Sequence, residues 1–307
     1  VRADVLDAID TVLRSVRHRR SEPFGGVQVV FIGDVYQLSP VAKADEWRIL
    51  SDYYRGIYFF HSRVIQEHPP VYVEFDKIFR QSDNLFIDVL NQVRNDSLST
   101  EGLELLQSRY DPHFNPTPEE NYITLTTHNF SADAINSAEL EKINTTAHSF
   151  HAVVKGEFPD NAFPVDRVLI LKEGAKVMFV KNDTEVPRRY FNGKIGTVTH
   201  ILEEGVTVQC PDDTEEITVS PVLWENIRYT THSETNTVEE EIIGTYKQIP
   251  LRLAWAITIH KSQGLTFDKA IIDAGKAVSP GQVYVALSRC RSLDSLVLKS
   301  PINRYSI

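Results

Sequence analysis

The chain has few of the residues that mark secreted, metal-binding or membrane-spanning proteins. Its two cysteines, Cys210 and Cys290, form neither a disulfide framework nor a metal-ligand spacing. No apolar run approaches the length of a membrane span, about 20 residues, and the N-terminus lacks the pattern of a signal peptide. At 307 residues and 42% hydrophobic content, the sequence predicts a soluble, intracellular globular protein with room for two domains and no membrane partner.

Positive charge is also scarce. Lys and Arg number 32 against 42 Asp and Glu, which gives a formal net charge of −10 at pH 7. This balance argues against attraction of nucleic acid to the surface as a whole. A local groove can still hold a single strand, because its charge is concealed in the total. Any surface that binds nucleic acid is therefore expected to be small, with acidic residues elsewhere.

The sequence also lacks a phosphate loop of the form Gly-x-x-x-x-Gly-Lys-Ser/Thr. Its two Gly-Lys pairs, at 193–194 and 275–276, are followed by Ile195 and Ala277 instead of Ser or Thr. The 307 residues therefore contain no such cradle for the phosphates of a nucleotide.

What the chain does contain is a set of polar side chains at the ends of apolar runs. The run VQVVFIGDVYQLSPV at 27–41 predicts a buried strand followed by a polar loop. The segment AWAITIHKSQG at 254–264 ends in hydroxyl, imidazole and ammonium donors. The segment SPGQVYVALSRCRSL at 279–293 predicts a capped helix that carries Arg289 off its buried face. In α/β proteins, ligands bind at the carboxyl ends of the strands.

Strand and helix patterns alternate along most of the chain, which predicts parallel βα units and an α/β fold. An amphipathic helix opens the chain, and Ser82 is expected to cap another. Further strands and helices are predicted at 71–75, 122–127, 129–143, 267–273 and 294–299. Between about 165 and 250, five short β-type runs suggest a small inserted antiparallel barrel, with Asn192-Gly193 as the strongest hairpin signal.

Four segments resemble motifs of superfamily 1 DNA helicases, closest to the Pif/RecD branch that moves 5′→3′ along single-stranded DNA. They are GDVYQLSPV at 33–41, FRQ at 79–81, TIHKSQG at 258–264 and VYVALSR at 283–289. Further matches are TTHNFSADAIN at 126–136, EGAKVMFVKND at 173–183 and FNGKIGTV at 191–198. The resemblance covers nearly all of the chain, in the family's order.

This resemblance implies an α/β fold of RecA-like P-loop NTPase domains, the first of them incomplete. Residues 1–78 would be the C-terminal part of the first RecA-like domain. Residues 79–164 and 251–307 would form the second, and residues 165–250 an inserted SH3/OB-like β-barrel. The chain would be the C-terminal two-thirds of a helicase, without the phosphate loop and without the Asp-Glu pair that holds Mg²⁺.

The resemblance also implies roles for single residues. Gln37 would sense the terminal phosphate, and Arg80 and Arg289 would neutralise the charge that phosphoryl transfer develops. These three catalytic residues and Gly264 are expected to contact ATP, and Asp34 is expected to hold the Gln37 loop. The expected DNA contacts are Thr258, His260, Lys261, Ser262, Thr126, His128 and Asn129. No metal site is expected, since no second ligand lies at metal-binding spacing from the imidazole in TIHKSQG.

The implied function is that of an ATP-dependent DNA helicase in DNA repair, recombination and genome maintenance. ATP and Mg²⁺ would serve the full-length enzyme, and single-stranded, duplex or forked DNA would be its partner. Its location would be intracellular, and cytoplasmic with the nucleoid in a bacterium. Two alternatives remain open: the motor part of a conjugative relaxase or RecD-like exonuclease subunit, and a non-catalytic module that binds single-stranded DNA. Retained phosphate-sensing residues argue against the second alternative.

The missing phosphate loop gives a first test. The 307-residue chain alone is expected neither to bind ATP tightly nor to hydrolyse it, because the amides and lysine of that loop normally hold the β- and γ-phosphates. The purified chain should show no DNA-stimulated ATP turnover. An Arg289→Ala variant controls for contaminating ATPase, and turnover that disappears in this variant would contradict the prediction.

Overall fold

The computed structural model describes residues 1–117, 120–211, 213–231, 238–275 and 281–302. They belong to two compact units: the first unit contains Val1–Pro112 and Ala274–Ile307, and the second unit contains His113–Asp273. The described α-helices are α1 (Ala3–Val16), α2 (Ala44–Leu50), α3 (Arg63–Glu67), α4 (Asn84–Arg94), α5 (Thr100–Gln107), α6 (Asn129–Lys142) and α7 (Gln282–Leu287). Among these described residues, no helix combines the length and the apolar character needed to cross a lipid bilayer.

The described strands follow one another from the second unit to the end of the chain. They are β1 (Ile123–Thr126), β2 (His148–His151), β3 (Val153–Gly156), β4 (Val168–Leu171), β5 (Lys176–Phe179), β6 (Ile195–Leu202), β7 (Gly205–Gln209), β8 (Ile217–Val219), β9 (Val222–Thr231), β10 (Val238–Gln248), β11 (Leu251–Leu253), β12 (Ala256–Thr258), β13 (Ala270–Asp273) and β14 (Leu296–Leu298). The fold is therefore mixed α/β, as predicted.

The opening helix is confirmed, but its apolar stripe is mostly exposed. In α1, Leu6 packs with Phe24, Val64 and Ile65 in a small core. The outer apolar positions Val5, Ile9, Val12 and Val16 are exposed. The apolar face of α1 is therefore wider than the part of it that this small core buries.

Two predicted strands of the first unit are wrong. Residues 27–34 and 71–79 have no regular secondary structure, and the side chains of Ile32, Val71 and Phe75 are largely exposed. A strand is stabilised by hydrogen bonds to a neighbouring strand, and within the described ranges neither segment has such a neighbour. The apolar pattern identifies these segments as apolar, but it does not show whether another strand pairs with them.

Two helices of the first unit begin differently from the prediction. Asp83, not Ser82, caps α4, and its carboxylate accepts from the N–H of Leu85 at 3.0 Å. Of the apolar residues expected on one face of α4, Phe86, Val89, Leu90 and Val93 are buried, whereas Leu85 is exposed. Helix α7 begins at Gln282 after Gly281. The first two residues of the capped segment predicted at 279–293, Ser279 and Pro280, lie outside the described residues.

In the second unit, three parallel strands lie in the order β12-β1-β13. Thr126 at the end of β1 is in register with Thr258 on one side and with Asp273 on the other. Helix α6 is attached to β12 through Asn136, whose amide donates to Ala256 O at 2.9 Å and accepts from Ala256 N–H at 2.8 Å. The predicted parallel βα unit is confirmed here.

The antiparallel strands of the second unit form three sheets, in the orders β11-β5-β6-β7-β8, β3-β10-β9 and β2-β4. All five β-type runs predicted between 165 and 250 form strands. One of them, β4, pairs with β2, and β11 takes the fifth place in the largest sheet. Asn192-Gly193 forms the turn before β6, with a φ of 95° at Gly193, inside a longer connection than a two-residue hairpin. The long β9–β10 hairpin was not predicted.

Candidate functional site

The polar loop of the first unit is organised by Asp34. Its carboxylate accepts from the backbone N–H of Tyr36 at 3.0 Å and from the side-chain amide of Gln37 at 3.3 Å. The Tyr284 hydroxyl on α7 donates to the same carboxylate at 3.5 Å, and the Arg94 guanidinium lies 4.0 Å from it. The expectation that Asp34 holds this loop is confirmed, and the contact with Tyr284 also joins the loop to α7.

Arg289 follows α7 and is almost completely buried, with 2% of its surface exposed. Its Nε donates to Val285 O at 3.0 Å, and its Nη2 donates to the Ser288 hydroxyl at 2.8 Å. Burial, together with repulsion from Arg80, lowers the pKa of the guanidinium to about 10, so it stays charged at neutral pH. The prediction that Arg289 lies off the buried face was wrong, because α7 ends at Leu287 and the following turn carries the side chain inward.

Arg80 contacts the same turn. Its Nη1 donates to Ser288 O at 3.1 Å, and the side chain is half-buried. Gln37, Arg80 and Arg289 therefore belong to one unit, in which α7 and the turn after it contact both the Gln37 loop and the FRQ segment. Two guanidinium groups and one amide form a donor set that suits a phosphate.

Helix α7 starts close against the Gln37 loop. Gly281 has a φ of 80°, and a Cβ atom at this position would lie 2.6 Å from Gln37 O and 2.7 Å from Tyr36 O. Glycine is the residue that combines the left-handed conformation with such a close backbone approach. The spacing between the loop and α7 therefore depends on Gly281.

The polar residues of the second unit lie at the carboxyl edge of its parallel sheet. β1 and β12 run parallel with Thr126 and Thr258 in register, and the N–H of Ile259 donates to Thr126 O at 2.8 Å. The segments that follow these two strands therefore leave the sheet side by side. One continues into α6 through His128 and Asn129, and the other forms the turns at 259–264.

The two segments contribute two kinds of side chain. The hydroxyls of Thr126 and Ser262 are buried and donate to His128 O at 3.1 Å and to Ile259 O at 2.7 Å. The buried Thr258 hydroxyl accepts from the N–H of Lys261 at 3.4 Å. In contrast, Asn129, His260 and Lys261 are exposed, and His128 is half-buried. The hydroxyls therefore shape the edge, and the amide, imidazole and ammonium groups face solvent.

The surrounding protein affects the charge of Lys261 even though its side chain is exposed. Desolvation, followed by repulsion from Arg252, lowers the pKa of the Lys261 ammonium. Helix α6 starts at the same edge with no side-chain cap hydrogen bond on its first turn and no acidic residue there. The N-terminus of a 14-residue helix and a nearby lysine both favour an anion.

Sequence reasoning missed an aromatic ring at this edge. Phe130, in the first turn of α6, is 63% exposed, and its ring centroid lies 5.3 Å from that of His128. An exposed aromatic ring beside positively charged and polar groups is typical of surfaces on which bases stack. The segment TTHNF carries this signal, since a large apolar residue opens a helix whose buried positions come later.

Gly264 has a φ of 85°, the left-handed conformation that was predicted, although it ends a series of turns instead of a helix. A Cβ atom there would meet no atom within 4 Å. Gly264 belongs to the second unit, whereas Gln37, Arg80 and Arg289 belong to the first. Its contact with ATP therefore stays a prediction.

Neither metal nor thiol chemistry is indicated. Within the ranges that the structure describes, no group of three or more His, Cys, Asp or Glu side chains could hold a metal ion. Cys210 and Cys290 are both buried, and burial raises the pKa of the Cys290 thiol to about 12. A neutral, buried thiol is a poor nucleophile.

Known proteins resemble this chain in sequence and in fold. The model of the PIF1-like helicase family matches residues 1–101. The ATP-dependent DNA helicase PIF1 of Homo sapiens is 34% identical over 304 residues, which cover 96% of this chain and 44% of the human protein. The crystal structure of Bacteroides Pif1 bound to ssDNA has 42% sequence identity and a TM-score of 0.77, and the match covers 100% of this chain and 70% of that one. The chain belongs to the Pif1 helicase family.

A second structure of Bacteroides Pif1, in complex with ADP-AlF3 and ssDNA, matches this Pif1-family chain with the same identity and TM-score. The chain spans less than half the length of the human relative. The likeness to the Pif1 structures supports the RecA-like α/β character of the fold.

The close contact between Gly281 and the Gln37 loop can be tested by substitution, with Gly264 as a matched control. Gly281→Ala is expected to destabilise the first unit by about 2 kcal/mol or more, because left-handed strain adds to a clash with the Gln37 loop. Gly264→Ala, with a similar φ but open surroundings, should cost about 1 kcal/mol. Urea denaturation with amide hydrogen exchange would assign each loss to its unit. Equal losses would mean that the close approach is not required.

Proposed function

We propose that the whole protein is an ATP-dependent DNA helicase that translocates 5′→3′ on single-stranded DNA and unwinds duplex or forked DNA. The observation that carries this proposal is the meeting of Gln37, Arg80 and Arg289 around α7 in the first unit. A module that only binds DNA has no need of a buried arginine beside a second arginine. The Pif1 relatives, which are named ATP-dependent DNA helicases, support the same function.

In this proposal, residues of the first unit would act on ATP in the whole protein. Arg80 and Arg289 would neutralise charge on the transferring phosphoryl group, and Gln37 would contact the γ-phosphate or the attacking water. Asp34 would act indirectly, since it ties Gln37 to α7. Mg²⁺ would accompany ATP in the whole protein, and no described residue is assigned to it. Gly264 would approach the nucleotide through its backbone.

The edge of the parallel sheet in the second unit would bind single-stranded DNA. His128, Asn129, His260 and Lys261 would contact backbone phosphates, which carry no sequence information. Thr126, Thr258 and Ser262 remain in the proposed site as the hydroxyls that shape it. The exposed Phe130 would offer a surface for base stacking.

The same proposal includes a domain organisation and a setting. Residues 1–78 would belong to the first RecA-like domain and residues 79–164 with 251–307 to the second. Residues 165–250 would form an SH3/OB-like barrel, for which the antiparallel order of β5 to β8 is the support. The protein would act on DNA inside the cell, in repair and recombination.

The two arginines provide the test of ATP hydrolysis. In the whole protein, Arg289→Ala and Arg80→Ala are each expected to lower kcat by roughly three orders of magnitude while DNA affinity changes little, because their charge acts on the transition state. Arg109→Ala is the control, since Arg109 also lies in the first unit and donates to the backbone carbonyls of Leu296 and Asp294. Steady-state ATPase assays and DNA titrations would measure both. Near-normal turnover with lost DNA binding would reverse the assigned roles.

Lys261 provides the test of the DNA edge. Lys261→Ala in the whole protein should weaken binding equally to poly-dT and mixed-sequence strands and reduce the salt slope of log K by about one, because one phosphate contact is lost. Lys142, exposed at the other end of α6 and paired with Glu139 at 2.6 Å, is the matched control and should leave the slope unchanged. Fluorescence anisotropy at several salt concentrations would measure this. An unchanged slope for Lys261→Ala would remove Lys261 from the proposed DNA site.

A further inference from the structure

Gln81, the last residue of the FRQ segment, makes two hydrogen bonds to the turn after α7. Its side chain is buried, with 7% exposed. Its Nε2 donates to Ser288 O at 3.2 Å and to Cys290 O at 2.8 Å. These are the carbonyl groups of the residues immediately before and after Arg289. One side-chain amide therefore contacts the backbone before and after that arginine.

The turn needs such support because it lies beyond the helix. Helix α7 ends at Leu287, and the backbone N–H groups of Arg289 and Cys290 make the short-range bonds of a turn, to Ala286 O at 3.2 Å and to Leu287 O at 3.1 Å. The direction of a side chain follows the orientation of the two peptide planes that flank its Cα atom. Gln81 holds the first of these planes through Ser288 O and the backbone just beyond the second through Cys290 O, so it restrains the backbone at Arg289 and the direction of its side chain.

A neutral amide suits this position better than a charged group. Arg80 already donates to Ser288 O, and its positive charge repels that of Arg289. A third cation here would add repulsion, and a carboxylate would face two carbonyl oxygens. The two N–H donors of a glutamine amide match two carbonyl acceptors without changing the charge of the site.

We propose that Gln81 is a positioning residue for Arg289, which it holds in the orientation needed to act on the phosphoryl group during hydrolysis. This inference rests on the proposed ATP hydrolysis by the whole protein. Gln81 would make no contact with ATP itself. Its effect would appear in the transition state, where the position of Arg289 matters most, and hardly in the binding of the ground state.

The test uses the whole protein with Gln81→Met, which keeps the size of the side chain and removes both donors. We expect kcat for DNA-stimulated ATP hydrolysis to fall about tenfold to hundredfold, with the KM for ATP changed by no more than roughly twofold. The affinity for ADP should stay the same, while the affinity for ADP with aluminium fluoride, which resembles the transition state, should fall in parallel with kcat. A purely structural role would not separate these two ligands.

A double variant and a matched control complete the design. On the Arg289→Ala background, Gln81→Met should have little further effect on kcat, because residues that act through one another are not additive. Gln248 is the control: it is also buried, and its Nε2 donates to Phe150 O at 2.8 Å, but it lies in the second unit. Gln248→Met should leave the discrimination between the two nucleotide ligands unchanged. If Gln81→Met does not fold, Gln81→Asn, whose amide is one methylene shorter, should give the same pattern.

The outcomes separate the inference from the function on which it rests. A whole protein without ATPase activity would overturn the proposed function. A wild-type protein that hydrolyses ATP, with Arg289→Ala inactive and Gln81→Met fully active, would overturn the positioning role alone. An additive loss in the double variant would also overturn it, because Gln81 would then act by another route.

Discussion

The parallel pairing of β1 with β12 is the constraint on which the second unit depends. With Thr126 opposite Thr258, both strands end at the same level of the sheet, and the segments after them leave it side by side. Because successive side chains of a strand point to opposite faces, a shift of one residue would move every side chain of that strand to the other face of the sheet. Asn136 opposes such a shift, since its amide pairs with both backbone groups of Ala256. The exposed edge groups are therefore positioned by interactions within the sheet and α6.

The first unit is subject to a different constraint, because it buries a positively charged side chain. Arg289 is buried beside Arg80, and the nearby Asp34 carboxylate is shared among Tyr36, Gln37, Tyr284 and Arg94. Backbone carbonyls and the Ser288 hydroxyl accept hydrogen bonds from the two guanidinium groups. In the proposed function, a phosphate of ATP would add negative charge beside these two arginines.

The elements predicted correctly from the sequence are those whose signals are local. β1, α6, β12 and β13 each carry their own periodicity or apolar run, and the positive φ of Gly264 follows from glycine at the end of a polar turn. Burial of Arg289 was not predictable, because it depends on where α7 ends and on the distant Gln81. The prediction of a strand at 27–32 was wrong for the same reason. A strand forms where another strand pairs with it, and that partner comes from a distant part of the sequence.

Sheet membership shows the same limit in the second unit. The run at β4 was recognised as a strand, yet whether it pairs with β2 or joins β5 depends on residues far along the chain. The β9–β10 hairpin was not predicted because three consecutive exposed glutamates at 239–241 interrupt the alternation of apolar and polar residues that is typical of a strand. For the candidate site, residue types and motifs identified which side chains matter, and only the fold separated Thr258 and Ser262, which shape the edge, from Lys261, which faces solvent.

The exposed apolar segments of the first unit also have a consequence for the physical behaviour of the chain. Residues 71–75, VYVEF, combine β-branched and aromatic side chains with unpaired backbone, and Val71, Tyr72, Val73 and Phe75 are all largely exposed. Short segments of this composition pair with their copies in other molecules and form intermolecular sheets. The isolated chain therefore exposes a segment whose composition favours β-pairing between molecules.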